Sequence, residues 1–325
     1  MTTSTIAPTT APNPLAVLWR RHAPLVVIYG LLIVLFLLAA FLSDRFLTAR
    51  NLSNLLRQAG FLGIVAIGQT VVILSGGIDL SVGSVVKLSV LVAALVMNGH
   101  ETNMWLGIAA VLGMGVVIGL LNATVITRLH VAPFIATLGA YGILRGISLW
   151  ITTKPVGRAS PAWLQFYDSG IGPIAGPAAL FLVLLVVMMV VLRRTRFGRH
   201  VYAIGGSEQV ARLSGIPITR VKYGIYTMCS VMAALTGLLY LSRMGVGDPV
   251  VGDGLELQSV TAVILGGTSL FGGRGGLVGT LGGVLLLALM GNLLVILNVN
   301  QWYQQLIQGL VIIGAVALYK QKGRT

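Results

Sequence analysis

Residues 103–127 read NMWLGIAAVLGMGVVIGLLNATVIT, with no charged side chain anywhere in the run. As an α-helix this stretch is about 37 Å long, enough to cross the ~30 Å hydrocarbon layer of a bilayer. It is apolar on every side rather than along one stripe, so it suits lipid or the middle of a bundle. Similar blocks recur to either side. Before it lie 24–42, 58–75 and 81–99, the last interrupted by Lys87. After it come 131–151, which contains Arg145, then 174–192, 223–242 and a short 259–271. The uncharged block 275–319 is too long for one crossing and divides at Asn298–Gln301 into spans near 277–297 and 302–319. The expected fold class is all-α, a polytopic transmembrane helix bundle of about ten spans.

Composition agrees. Of 325 residues 56% are hydrophobic and 9% charged, where a soluble domain carries about a quarter charged residues to wet its surface. Residues 1–22, rich in Thr, Ala and Pro at their start, read as a disordered cytoplasmic tail; 23–319 forms a single membrane domain, and 320–325 a basic cytoplasmic tail. The run from Ala23 to Leu42 is too long for a signal-peptide core and reads as a retained first span. The net charge of +14 would suggest nucleic acid in a soluble protein, but here the basic residues flank apolar blocks and no basic stripe with interleaved aromatics exists. Cys229 is the sole cysteine and the four histidines are scattered. No catalytic set, metal or cofactor is expected. No GxxxxGK[ST] string occurs, so any nucleotide-driven step needs a partner.

Orientation comes from Lys and Arg. The interval 193–222 carries seven of them against Glu208 alone, which places it in the cytoplasm. One segment conflicts: 43–57 holds Arg45, Arg50 and Arg57 on the side this topology calls external. It reads as an amphipathic interfacial helix, or as evidence that an early span is half a crossing.

Polar groups inside the spans are candidates for a solute pathway, since each is costly in hydrocarbon. Asp79 sits in the break Gly76-Gly77-Ile78-Asp79-Leu80-Ser81, where unwound backbone lines a cavity or the carboxylate caps the next helix. Gln69, Tyr141, Asn122 and Asn292 are neutral hydrogen-bonding groups that serve either a sugar path or interhelical contacts. The pathway set is Gln69, Gly76, Gly77, Asp79, Ser81, Tyr141 and Asn292, with Lys87 and Arg145 as further ionisable groups. Val71–Gly83 also resembles Ala262–Gly273, an apolar segment running into paired glycines, which suggests an internal repeat. Gly115-xxx-Gly119, Gly142-xxx-Gly146 and Gly279-xxx-Gly283 have the spacing of close helix packing.

Within 193–222, Ser207 can cap a short helix ending near Leu213, Glu208 sits at its positive end and Gly215 closes it. A cytoplasmic helix between two spans suits docking to a motor subunit. The stretch TRFGRHVYAIGGSEQVARLSGI, at 195–216, resembles the coupling segment of ribose- and xylose-type ABC permeases. ILSGGIDLSVGS, VAPFIATLGAYGILRGIS and AVILGGTSLFGGRGGLVGTLGG also resemble segments of that family, in its order.

The resemblance implies a bacterial inner-membrane permease for a monosaccharide, working with a cytoplasmic ABC ATPase, an extracytoplasmic solute-binding protein and a second permease copy. It places ATPase coupling on Gly198, Ala203, Ile204, Gly205, Gly206, Glu208, Ala211, Ser214 and Gly215, with Ser207 standing where the family often has Asn. A branched-chain amino acid or nucleoside permease, or an ion-coupled carrier, remains the alternative.

Overall fold

The computed structural model describes residues 14–171, 174–300, 302–304, 306, 307, 309, 310, 313 and 314. The expected tail at 320–325, residues 1–13 of the first tail and part of the last span at 302–319 lie outside the described residues. The helices are α1 (Pro14–Leu42), α2 (Ala49–Leu74), α3 (Val82–Met97), α4 (Met104–Thr127), α5 (Pro133–Ile151), α6 (Pro161–Asp168), α7 (Gly176–Arg194), α8 (Arg196–Gly206), α9 (Glu208–Leu213), α10 (Ile218–Met244), α11 (Leu255–Leu265) and α12 (Leu277–Ile296). The strand pair β1 (Gly170–Ile171) and β2 (Ile174–Ala175) adds a small antiparallel ribbon to an otherwise helical chain.

Seven of these helices are long and apolar enough to span a membrane, and α3 and α11 are shorter apolar helices. The bundle is polytopic. Its centre is α2, α3 and α10: every residue from Ala59 to Leu74 is buried, as is most of α3. The flanking helices turn large apolar side chains outward, such as Phe41 on α1, Leu121 on α4 and Trp150 on α5. These faces belong against lipid or another apolar partner, because water would leave them unpaid for.

Contacts along α2 fix the two ends of the bundle. Gly60, near its middle, packs on the main chain of Pro177 at the start of α7, and Gly63, one turn on, packs on Phe181, so the two helices run in the same direction. Leu74, at its finish, accepts a hydrogen bond from Gly273 N (2.9 Å). The basic segment follows α7, so the Leu74 end is cytoplasmic.

The conflict over 43–57 has a simple outcome. Residues 49–57 are not a separate interfacial helix but the first turns of α2, capped by Thr48. The outer arginine is accounted for: Arg57 pairs with Asp168 at 3.1 Å and its guanidinium lies 4.4 Å over the Tyr167 ring. α1 begins at Pro14, ahead of the apolar run read from residue 23. The short span expected at 259–271 falls one turn earlier, as α11, followed by a glycine-rich loop.

Candidate coupling and translocation site

The break between α2 and α3 is unwound backbone inside a membrane bundle, where unpaired polar groups are costly. Here they are paired in turn. Gly77 N donates to Val72 O (3.1 Å). Thr137 Oγ accepts from Leu80 N (3.1 Å) and lies 3.2 Å from Ile78 O. With its amide turned to satisfy both ends, Gln69 donates to Asp79 O (3.1 Å) and accepts from Asp79 N (3.3 Å).

Asp79 is fully buried, and its Oδ1 accepts from Ser81 N (2.9 Å) and Ser81 Oγ (2.6 Å). Asn122 Nδ2 donates to the same Ser81 hydroxyl (3.0 Å). The carboxylate thus closes a turn two residues ahead and does not reach the first amides of α3. Gln69, Asp79, Ser81 and Asn122 form one buried network, and Tyr141 stands apart on α5, its hydroxyl accepting from Arg145 (3.4 Å).

Three glycine segments meet at the cytoplasmic end. Gly273 N reaches Leu74 O, and Gly205 of α8 packs directly on both. A methyl at Gly272 would approach the backbone of Gly76 and Gly205. Gly272 and Gly273 have φ of 85° and 71°, the left-handed region where a side chain is strained. The two segments resembling one another, 71–83 and 262–273, therefore end at the same side of the bundle and touch through main chain.

The segment 195–216, expected from its resemblance to couple to an ATPase, folds as two helices. α9 was readable from its Ser207 cap, which accepts from Val210 N (3.3 Å). α8, capped by Thr195 accepting from Gly198 N (3.3 Å), was not. Gly198 fits where the Leu192 backbone leaves no room for a side chain, and Ile204 and Ala211 are buried. Ala203, Gly206, Ser207, Ser214 and Gly215 are exposed. Glu208 holds α9 to α10 through Lys222 (2.7 Å) and bonds Arg212 within α9 (3.2 Å). Partial burial raises the Glu208 pKa, but Lys222 and Arg212 outweigh it and hold the carboxyl below its ordinary value. Val210 and Leu213, 60% and 83% exposed, put apolar surface on the cytoplasmic face.

From Arg243 near the outer end of α10 inward to Thr261 on α11, helices α2, α10, α11 and α12 line a cavity of about 310 Å³. Gln58, Gln258, Thr261, Tyr240 and Arg243 supply its polar wall. Phe61 stacks on Tyr240 (centroids 4.6 Å apart), and Arg243 lies 5.9 Å from the Phe61 ring. A smaller cavity of about 210 Å³ adjoins it, lined by Asn51, Asn54 and Asn292. Asn292 and Asn51 exchange amide hydrogen bonds of 2.8 and 3.1 Å. Of the pathway residues read from sequence, Asn292 alone lines either cavity. The cavity's own residues escaped the sequence reading. Their signal was a three-residue spacing, Tyr240 with Arg243 and Gln258 with Thr261, on helices where apolar residues dominate.

An unwound membrane segment, a polar outer cavity and a cytoplasmic helical appendage define a membrane transport subunit. The family model described as branched-chain amino acid transport system / permease component matches residues 51–316, and the chain belongs to that family. It is similar to the ribose import permease protein of Bacillus subtilis (strain 168), 41% identical over 298 residues covering 90% of this chain and 91% of the relative. The ribose import permease protein of Escherichia coli (strain K12) is 38% identical over 301 residues, covering 90% and 92%. The L-arabinose transport system permease protein of the same organism is 35% identical over 302 residues, covering 91% and 92%. No solved structure matches the chain. As a member of this family the chain is a multi-pass membrane permease component, a transport subunit rather than an enzyme.

Proposed function

We propose that this chain is the membrane subunit of an ATP-driven importer that carries a neutral monosaccharide, of the ribose or arabinose kind, into the cytoplasm. The single observation that carries the reading is the main-chain junction of Gly205, Leu74 and Gly273. It joins α8, which leads directly into α9 with its exposed Val210 and Leu213, to the ends of two membrane segments, so force applied at α9 passes through α8 to the bundle by main-chain contact.

In this reading Val210 and Leu213 sit in a cleft of the ATPase, and Ser207 and Glu208 hold α9 in position. Gly198, Ala203, Ile204, Gly205, Gly206, Ala211, Ser214 and Gly215 shape the same appendage. A solute-binding protein delivers sugar to the outer end, and a second permease copy completes the path. The amides and stacked rings of the outer cavity suit a polyol, which offers hydroxyls to the amides and C–H faces to the aromatics.

The test is uptake of labelled ribose, arabinose and fructose into proteoliposomes holding the permease, its ATPase and its binding protein. Sugar accumulation that requires ATP and both partners supports the proposal. Uptake by this polypeptide alone, without ATP, overturns it. Leu213→Glu is expected to reduce ATPase co-purification and uptake together while the thermal midpoint of the permease stays unchanged.

A further inference from the structure

Between the main-chain bridge of Val156 and Gly247 and the start of α11, the chain turns inward along α3. Gly247 packs against Leu91 and Ala94, whereas Gly252 packs against the backbone of Gly83 and Lys87, two turns nearer the cytoplasmic end. Lys87 Nζ then meets Asp253 Oδ1 at 2.8 Å, with the lysine side chain 3% exposed and the aspartate 42%. Glu256 lies against Gly83, and its Oε2 is buried without a hydrogen-bond partner. On the neighbouring side of α3, Ser84 Oγ donates to Tyr141 O (3.0 Å), with Arg145 one turn beyond Tyr141.

Depth decides what this cluster faces. Lys87 lies ten residues before Met97 at the outer end of α3, about 15 Å. Leu255 lies ten residues before Leu265 near the cytoplasmic end, again about 15 Å. The pair therefore sits near the middle of the bilayer. A carboxylate exposed to lipid at that level is costly even by the mildest measure. The surfaces of α1, α4 and α7 that do meet lipid are apolar. A half-exposed carboxylate held by a buried lysine has no reason to be among them.

The geometry points to Asp253, clamped by Lys87, as a lining residue of a water-filled solute path at mid-membrane, where its exposed edge accepts hydroxyl groups of a neutral polyol and repels anionic sugars. The inference rests on the transport reading above and extends it by assigning a specificity-determining position outside the outer cavity. The ion pair with Lys87 fixes the carboxylate in place, so that its exposed edge offers weak, transient acceptors rather than a tight trap.

The test uses the full transporter in proteoliposomes. Cys229 is replaced by serine, and cysteines are introduced singly as Asp253→Cys and, on the outer face of α7, Val187→Cys. The probes are a permanently charged, water-soluble methanethiosulfonate and a lipid-soluble maleimide. The charged reagent is expected to modify position 253 about tenfold faster than position 187, because hydrocarbon excludes it. The rate at 253 should change when ATP is trapped with vanadate, and excess ribose should slow it where ribose 5-phosphate does not.

Labelling of 253 by the lipid-soluble reagent alone, or by neither reagent in any nucleotide state, overturns the inference. Asp253→Cys combined with Lys87→Met, which removes the buried lysine left unpaired by the single change, carries the same labelling expectation if the first variant does not assemble. Uptake by the unaltered transporter is measured alongside. Intact uptake with a dry position 253 removes this inference alone, whereas absent uptake with a wet position 253 removes the transport reading.

Discussion

Gly205 and Gly206 are neighbours in the chain and alike in type, yet they stand in opposite surroundings. A methyl on Gly205 would strike the Leu74 carbonyl and the Gly273 amide, while a methyl on Gly206 meets nothing within 4 Å. Gly205→Ala should therefore cost on the order of 1–3 kcal/mol through overpacking, read as a lower melting temperature of the purified permease. Gly206→Ala should melt like the parent, and any loss of transport it causes must arise at a partner's surface.

Glu208 gives a pH dependence. Its carboxyl is held below the ordinary value near 4.5 by Lys222 and Arg212. A depressed folded pKa stabilises above the unfolded value and is lost as pH falls through the folded one. Protection from hydrogen exchange over 196–213, corrected for the intrinsic rate at each pH, should be flat from neutral pH down to that range and fall below it, and Glu208→Gln should flatten the fall. The effect stays within a few tenths of a kcal/mol because the Glu208 side chain is 42% exposed and solvent screens the interaction. Residue-level roles were legible where they are local: Ser207 as a cap is visible in Ser-Glu-Gln-Val. The Gln69 bracket around Asp79 was not, because it joins residues across a chain reversal.

Helix packing separates the three glycine pairs. Gly115 and Gly119 lie against α10, with Gly119 on the Thr227 backbone, and Gly279 and Gly283 lie against Gly266 and Ala262. Gly142 and Gly146 have nothing within 4 Å, so the same spacing on α5 opens outward. Gly119→Leu should destabilise the monomeric fold by several kcal/mol, whereas Gly146→Leu should leave monomer melting unchanged. The sequence motif states that two surfaces can approach closely but not whether a partner is present in the same chain. Element boundaries were lost for a related reason. Arg50 and Arg57 interrupt the apolar pattern of α2, so its outer turns looked like a separate segment, although Arg57 is simply paired with Asp168. α8 stayed hidden because its glycines and basic residues resemble a loop, while its contacts, such as Gly198 on Leu192, are tertiary.

At the scale of the molecule, topology was readable because it is set by solvent. Long uncharged blocks choose lipid, and clustered arginines choose the cytoplasmic side. Single cysteines at Ser169 and Leu213, placed in a Cys229→Ser background, should react with an impermeant maleimide from opposite sides of sealed vesicles, Ser169 from outside and Leu213 from inside. Labelling of both from one side would contradict the orientation. The outer cavity was not readable, since Gln58, Tyr240 and Gln258 converge only once four helices assemble.

The junction of Leu74, Gly205 and Gly273 has one more implication. Its contacts are main-chain ones that the absence of a side chain at Gly205 and Gly273 permits, and the walls of the outer cavity are side chains on other turns. Exchanging Gln58, Gln258 or Tyr240 to suit a differently shaped cargo leaves the linkage between appendage and bundle as it was. On the proposed reading, one transmission serves many conduits, and retuning what is carried does not require rebuilding what drives it.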